Sequence, residues 1–296
     1  MNFWSAAGRS LAYETHGALN EAGDNCVLLP TYYTGTSASY RRMIGTGRAL
    51  DPARHFIVIP NMLGNGLSSS PSNTADYTNA TISENVALQH ALLTSLGVRQ
   101  IALIYGWSMG AMQGFAWAAA YPEMVAALLP VCGTANCWPL NYVFLEGVAA
   151  ALNNAATPEA GLQAFGRVYA GWAYSAAFYR EELYQDMGFA ALEDFLKFWE
   201  DDHLTWHKDD LLAMLWTWQN AKLPSSDLAK ITARTIIMPA DTDAYFTLDE
   251  ARLEATAIPN AELRVINSPY GHCAGAPGRY PRETALIEQA IIQLLG

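Results

Sequence analysis

Charge is scarce in this chain. Only 15% of its 296 residues are charged, against roughly 25% in an average soluble domain, and lysine occurs four times. Asp and Glu outnumber Lys and Arg by 28 to 17, a formal charge of −11. An excess of that sign argues against nucleic acid or an anionic membrane surface as partner, since both attract Lys and Arg. Cysteine is equally sparse. Cys26, Cys132, Cys137 and Cys273 are too few and too irregular for a secreted disulfide framework, and the Cys132–Cys137 spacing suits neither a zinc site nor a C-x-x-C redox motif. They read as reduced, mostly buried thiols of a cytoplasmic protein. No run of eighteen apolar residues is present, which excludes a spanning helix. Met1 to Ser5 has neither a basic n-region nor an apolar h-region, so no signal peptide is expected.

What the chain does have is apolar material, 51% of its residues. That is enough to build a substantial core without staples and incompatible with a disordered acidic tail. Short apolar runs alternate with helical patterns, the habit of an α/β protein with a mainly parallel sheet. Strands are expected at Cys26–Leu29, Phe56–Ile59, Ile101–Tyr105, Ala127–Val131, Thr235–Met238 and Leu263–Ile266, and helices at Thr81–Leu96, Met109–Tyr121 and about Arg282–Leu295. From about Thr134 to Pro224 the rhythm breaks. No strand is evident there, and six of the nine tryptophans fall in it: Trp138, Trp172, Trp199, Trp206, Trp216 and Trp218. The expected organisation is a core of residues 1–133 and 225–296 with a helical cap at 134–224. An aromatic cap can wall an apolar substrate pocket, and it can equally pack the insertion itself or a homodimer contact.

The strongest chemical signal is Gly106-Trp107-Ser108-Met109-Gly110, a G-x-S-x-G run between an apolar strand and a helix. A strand–turn–helix elbow holds its serine in a strained turn, lifts the hydroxyl above the sheet and aims a helix N-terminus at any oxyanion beside it. Ser108 is therefore the expected nucleophile. A serine nucleophile needs a base and the base an orienting carboxylate, in the chain order serine, acid, histidine. His272 lies after the last expected strand and before the final helix, and is the expected base. His203 and His207, amid Asp201, Asp202, Asp209 and Asp210, read as a solvated helical face; no H-E-x-x-H pattern accompanies them, and no metal is expected. The acid falls in the loop Pro239 to Phe246, where Asp241 and Asp243 both qualify and Asp243 has the longer reach. Backbone N–H groups of Met109 and Tyr33 are the expected oxyanion donors. Tyr32, Leu63, Trp107, Trp138 and Tyr245 are candidate pocket residues. Gly64-Asn65-Gly66 lacks the rest of a dinucleotide fingerprint and reads as a turn near the pocket; no cofactor is implied.

Taken together, these segments resemble the α/β-hydrolases of the homoserine O-acetyltransferase-like group over nearly the full length. The likeness is carried by Gly106 to Gln113 with Trp117-Ala118 and Tyr121-Pro122, by Asn61 to Gly64 and Ser69 to Pro71, by Thr31 to Gly35, and by Thr242-Asp243 and Gly271-His272. The resemblance implies an α/β-hydrolase fold and favours Asp243 as the acid. Three departures bear on function. Trp107 stands where the group's acetyltransferases usually have a second glycine, and Cys273 where an aspartate usually follows the base. The segment Phe144 to Ala151 lacks the arginine that grips the homoserine carboxylate, and losing that bidentate partner is worth about a few kcal/mol.

The expected function is therefore a serine hydrolase acting on a small or medium acyl ester, thioester or amide. The alternative is an acyltransferase that passes the acyl group to an alcohol or amine, which requires exclusion of water and an acceptor pocket. A non-hydrolytic binding protein or lyase on the same fold is a third reading. All three take a small molecule as partner.

Overall fold

A computed structural model describes residues 1–296. In chain order the elements are β1 (Asn2–Ala6), β2 (Arg9–His16), β3 (Cys26–Leu28), β4 (Phe56–Pro60), α1 (Ile82–Ser95), β5 (Ile101–Trp107), α2 (Met109–Ala120) and β6 (Ala127–Val131). A wholly helical segment follows, with α3 (Pro139–Asn153), α4 (Pro158–Ala173), α5 (Ala176–Arg180), α6 (Leu192–His203), α7 (Lys208–Gln219) and α8 (Ser225–Leu228). The chain then returns to the sheet through β7 (Arg234–Ile237), α9 (Leu248–Ala257), β8 (Ala261–Leu263) and α10 (Pro281–Leu295). The eight strands are ordered β1-β2-β4-β3-β5-β6-β7-β8; β1 and β2 run antiparallel and the rest are parallel. No helix is long and apolar enough to cross a membrane.

Strand period two divides the core between the two sheet faces. Leu28, Val58, Ile104 and Leu128 point into the larger cluster with Met112, Phe115 and Trp117 of α2. Val27, Leu29, Ile57, Leu103 and Leu129 point the other way, onto Ile287, Ile291 and Leu294 of α10. Helix α1 begins at a reciprocal cap: Glu84 N–H donates to Thr81 Oγ1 at 3.1 Å and Thr81 N–H to Glu84 Oε2 at 2.7 Å. It ends against Gly97, whose φ of +86° suits glycine.

Two differences from the sequence expectations stand out. The hairpin β1–β2 was not anticipated, because β1 is a largely exposed edge strand without a buried alternating face. Its signal is the two-residue turn Ala7-Gly8, both at positive φ. The last strand begins earlier than Leu263–Ile266 would place it. β8 pairs Ala261–Leu263 with β7, and Ile266 then makes only an isolated bridge with Ala240.

The helical segment leaves and rejoins the core at one carboxylate. Buried Glu254 of α9 accepts from Ala135 N–H at 2.8 Å, Asn136 Nδ2 at 3.2 Å and Trp138 Nε1 at 3.1 Å. Asn136 Oδ1 in turn accepts from Leu223 N–H at 2.8 Å, and Cys137 N–H donates to Ala221 O at 2.9 Å. Burial raises Glu254 to about 7, against the lowering effect of those donors. A raised carboxyl binds its proton more tightly folded than unfolded, so its contribution is complete below about 4.5 and is lost as pH rises through about 7. Denaturant titrations at pH 5 and pH 8 are therefore expected to show wild type losing on the order of 3 kcal/mol relative to Glu254→Gln. Parallel pH profiles for the two proteins would contradict this.

Candidate active site

Ser108 sits between β5 and α2 at φ +57° and ψ −126°, a conformation that costs a non-glycine residue about 1–3 kcal/mol. The flanking glycines make the turn possible. A Cβ at Gly106 would stand 2.2 Å from the Gly110 carbonyl, and one at Gly110 would stand 2.5 Å from Pro30 O. The turn is held by hydrogen bonds on both sides. Ser108 N–H donates to Val131 O at 3.0 Å, and Ser108 O accepts from Ala111 N–H at 2.9 Å and Met112 N–H at 3.2 Å.

His272 lies on a short 3₁₀ turn, Gly271–Gly275, after β8. Its Nδ1 is 2.7 Å from Asp243 Oδ2, and both residues are buried. The second Asp243 oxygen accepts from the N–H groups of Tyr245 at 3.1 Å and Phe246 at 3.0 Å. A carboxylate at Nδ1 places the ring proton there and leaves Nε2 as the nitrogen free to act as a base. Asp241 is exposed and serves elsewhere, accepting from Ser268 N–H at 3.0 Å and so tying the Asp243 loop to the His272 loop. Gly271 has φ +58°, and a Cβ there would stand 2.8 Å from Ser175 N; the base loop rests directly on the start of α5.

Aromatic rings hold the imidazole. Trp107 stacks on it at 4.9 Å between centroids with 24° between planes, and Trp107 Nε1 donates to His272 O at 3.2 Å. Tyr245 and Phe246 pack at 4.5 and 5.4 Å. Burial pushes the adjacent Cys273 thiol up to about 11, so it stays neutral and poorly nucleophilic at ordinary pH.

Ser108 and His272 open onto one cavity of about 460 Å³. Of the pocket candidates, Tyr32, Trp107 and Tyr245 line it, together with Tyr33, the candidate oxyanion donor. Leu63 and Trp138 do not. Leu63 is fully buried in a small cluster with Leu11, Ala80 and Leu92 under the first strands. Trp138 belongs to the Glu254 junction and lines a separate cavity there. The turn Gly64-Asn65-Gly66 also stays outside the cavity, although Asn65 Nδ2 reaches Gly35 O at 3.3 Å and braces the Tyr33 loop. The Met109 and Tyr33 amides make no hydrogen bond to the protein, leaving two donors beside Ser108 and its neighbouring loop.

Beyond Trp199, already named among the cap's tryptophans, the sequence reading missed the walls supplied by Tyr169 and Ala173 of α4 and by Phe198 and Asp202 of α6. Their helical spacing was the available signal. Of the six tryptophans in the segment, only Trp199 reaches the cavity. His203 corrects the expectation of a solvated histidine pair. It is buried among Phe165, Tyr169 and Trp199, with Nδ1 2.8 Å from Trp199 O, and burial lowers its pKa. His207 is exposed, and its Nδ1 accepts from Asp209 N–H at the start of α7. Arg42 and Arg279, also lining residues, carried no recognisable sequence signal.

Comparison with known proteins agrees with this fold. The family model described as the alpha/beta hydrolase fold matches residues 26–276. An ethyl acetate hydrolase of Pseudomonas veronii is 35% identical over 94% of this chain and 86% of its own length. The crystal structure of the acetyl esterase MekB superposes with a TM-score of 0.93 at 32% identity, covering 97% of this chain and 91% of that one. A homoserine O-acetyltransferase of Trichormus variabilis is 30% identical over 90% of this chain and 84% of its own. The chain therefore belongs to the alpha/beta hydrolase fold family, in the homoserine O-acetyltransferase-like group that also contains acetyl esterases, and it is a hydrolase enzyme of that fold.

Proposed function

We propose that this enzyme hydrolyses short acyl esters, acetyl esters foremost, through Ser108, His272 and Asp243. The observation that carries the reading is the convergence of the strained Ser108 and the Asp243-bound His272 on one cavity. Ser108 Oγ attacks the ester carbonyl carbon while His272 Nε2 takes the hydroxyl proton. The oxyanion accepts from the Met109 and Tyr33 amides. The carbon–oxygen bond to the alcohol then breaks, and the alcohol leaves with the proton from His272. Water attacks the acyl-enzyme, gives a proton to His272, and releases the carboxylic acid as Ser108 recovers its own. Asp243 keeps the imidazole oriented and stabilises it when it is charged.

Hydrolysis is favoured over transfer by two features. Helix α3 contains no arginine, so the homoserine carboxylate lacks the partner that the resemblance places there, and the cavity wall includes exposed Phe198 and Arg42, so water reaches the acyl-enzyme. Four free thiols support a reducing, cytoplasmic setting.

Turnover of p-nitrophenyl acetate, with products identified by mass spectrometry, is expected to give free acetate with or without L-homoserine. Ser108→Ala should lower kcat by at least about 10³-fold. Formation of O-acetylhomoserine, or wild-type rates from well-folded Ser108→Ala, would overturn the reading. Trp107 positions His272 rather than touching the reacting atoms. Trp107→Ala is expected to lower kcat by about 10- to 100-fold with a smaller change in KM, and Trp107→Phe, which keeps a ring against the imidazole, should recover part of the loss. An unchanged kcat in Trp107→Ala would remove it from that role.

A further inference from the structure

The catalytic cavity is lined by two arginines that no carboxylate pairs with. Arg42, at the end of the 3₁₀ turn Ser37–Met43, and Arg279, just before α10, both line it. Neither takes part in an ion pair with a carboxylate: Arg279 lies beside the Tyr280 side chain, and the neighbouring Arg41 and Arg282 engage Glu14 and Glu283 instead. The pairing of these two segments is built into the backbone. Gly278 has φ +66°, and a Cβ there would stand 2.6 Å from Arg42 Cβ, so only glycine lets the Arg279 segment approach so closely. Arg279 is half-buried, with its guanidinium 5.9 Å from the Tyr280 ring centroid. Tyr280 is itself fixed, stacked on Tyr270 at 3.8 Å and hydrogen-bonded to Tyr174 at 3.0 Å.

Both arginine side chains stay charged at any physiological pH. The only carboxylate lining the cavity outside the Asp243–His272 pair is Asp202. The lining side chains thus carry two positive charges and one negative, with the Asp243 carboxylate behind His272 as a second negative charge, so the two guanidinium groups are matched in number by carboxylates but paired with neither. The tyrosines and Cys273 beside it are kept neutral by burial.

We propose that Arg279 and Arg42 form a subsite for a carboxylate on the alcohol portion of the substrate, so that the preferred substrates are acetate esters of small hydroxy acids. The assignment rests on the esterase reading above and narrows its substrate class. A guanidinium fork matches a carboxylate in plane and charge, and it fixes the distance between that group and the scissile ester. The reaction is unchanged: one water is consumed, the ester carbon–oxygen bond breaks, and acetate and the free hydroxy acid are released.

The test compares kcat/KM for 3-acetoxypropanoate with that for 3-acetoxypropanamide, a neutral substrate of the same shape. Wild type is expected to favour the carboxylate by tenfold or more. That ratio should fall in Arg279→Gln and Arg42→Gln, approach one in the double variant, and survive in Arg54→Gln, which removes a remote surface charge. Equal kcat/KM for the two substrates in wild type, or an undiminished ratio in the double variant, would overturn the proposal. Better turnover of 2-acetoxyethyl phosphate than of the carboxylate would overturn the choice of a monoanion. The wild-type ratio decides the matter even where a variant fails to fold. Absence of p-nitrophenyl acetate hydrolysis would strike the esterase reading itself, whereas hydrolysis without anion preference would strike only this subsite.

Discussion

The close approach of helix α2 to the end of β3 is the constraint on which the rest of the site depends. Gly110 lies so near Pro30 O that no side chain fits between them. A buried chain of amides then locks the two elements. Trp117 Nε1 donates to Gln89 Oε1 at 2.8 Å, Gln89 Nε2 to Gln113 Oε1 at 2.6 Å, and Gln113 Nε2 to Thr31 O at 2.7 Å and Met109 O at 3.2 Å. Hydrogen bonds of this kind contribute about 1 kcal/mol each, enough in sum to offset the strain held at Ser108. They also set the spacing between the Met109 amide and the loop bearing Tyr33. Oxyanion donors arranged before substrate arrives need no reorganisation during the reaction. Breaking the chain at Gln113 would leave several buried polar groups without partners, so site geometry and core stability are coupled through the same residue.

The second organising feature is the aromatic setting of His272. Trp107 packs one side of the ring and bonds to its backbone, while Gly275 allows the turn to close on that indole. A Cβ at Gly275 would stand 2.7 Å from both Trp107 Cδ1 and Cys132 Sγ. A small residue at 107 would leave this space empty. Trp107 thus replaces backbone freedom beside the nucleophile with a fixed surface against the base. Cys273, where relatives of the transferase kind usually carry an aspartate, adds no charge beside that base, because burial keeps its thiol protonated.

The parts of the fold and site that could be read from sequence are those governed by local rules. The central strands are continuous apolar runs, α1 shows apolar helical spacing that stops at Gly97, and the elbow requires its two glycines; each announces itself within a few residues. The pairing of His272 with Asp243 instead of Asp241 turned on reach within one loop and was also legible. Long-range placement was not. Trp138 is aromatic and lies at the start of the cap, yet its indole is drawn to a buried carboxylate more than a hundred residues away. Leu63 follows a loop that braces the oxyanion segment, but its side chain turns under the first strands. His203 has acidic neighbours in sequence and aromatic neighbours in space, because its face of α6 packs against α4. Arg279 becomes part of the cavity only through the tight crossing at Gly278, a tertiary contact without a periodic signature.

The junction at Glu254 has a consequence for how such enzymes diversify. The long helical excursion starts and finishes within hydrogen-bonding distance of a single region, through Ala135, Asn136 and Leu223. Its ends are therefore already closed, and the entropy of closure grows only slowly with the length of chain between them. Helices inside the excursion can be lengthened, shortened or exchanged while the sheet, the elbow and the base loop keep their registry. The scaffold is thus divided into a part that is held fixed by chemistry and a part that can be rewritten to suit a new substrate, with one carboxylate marking the seam.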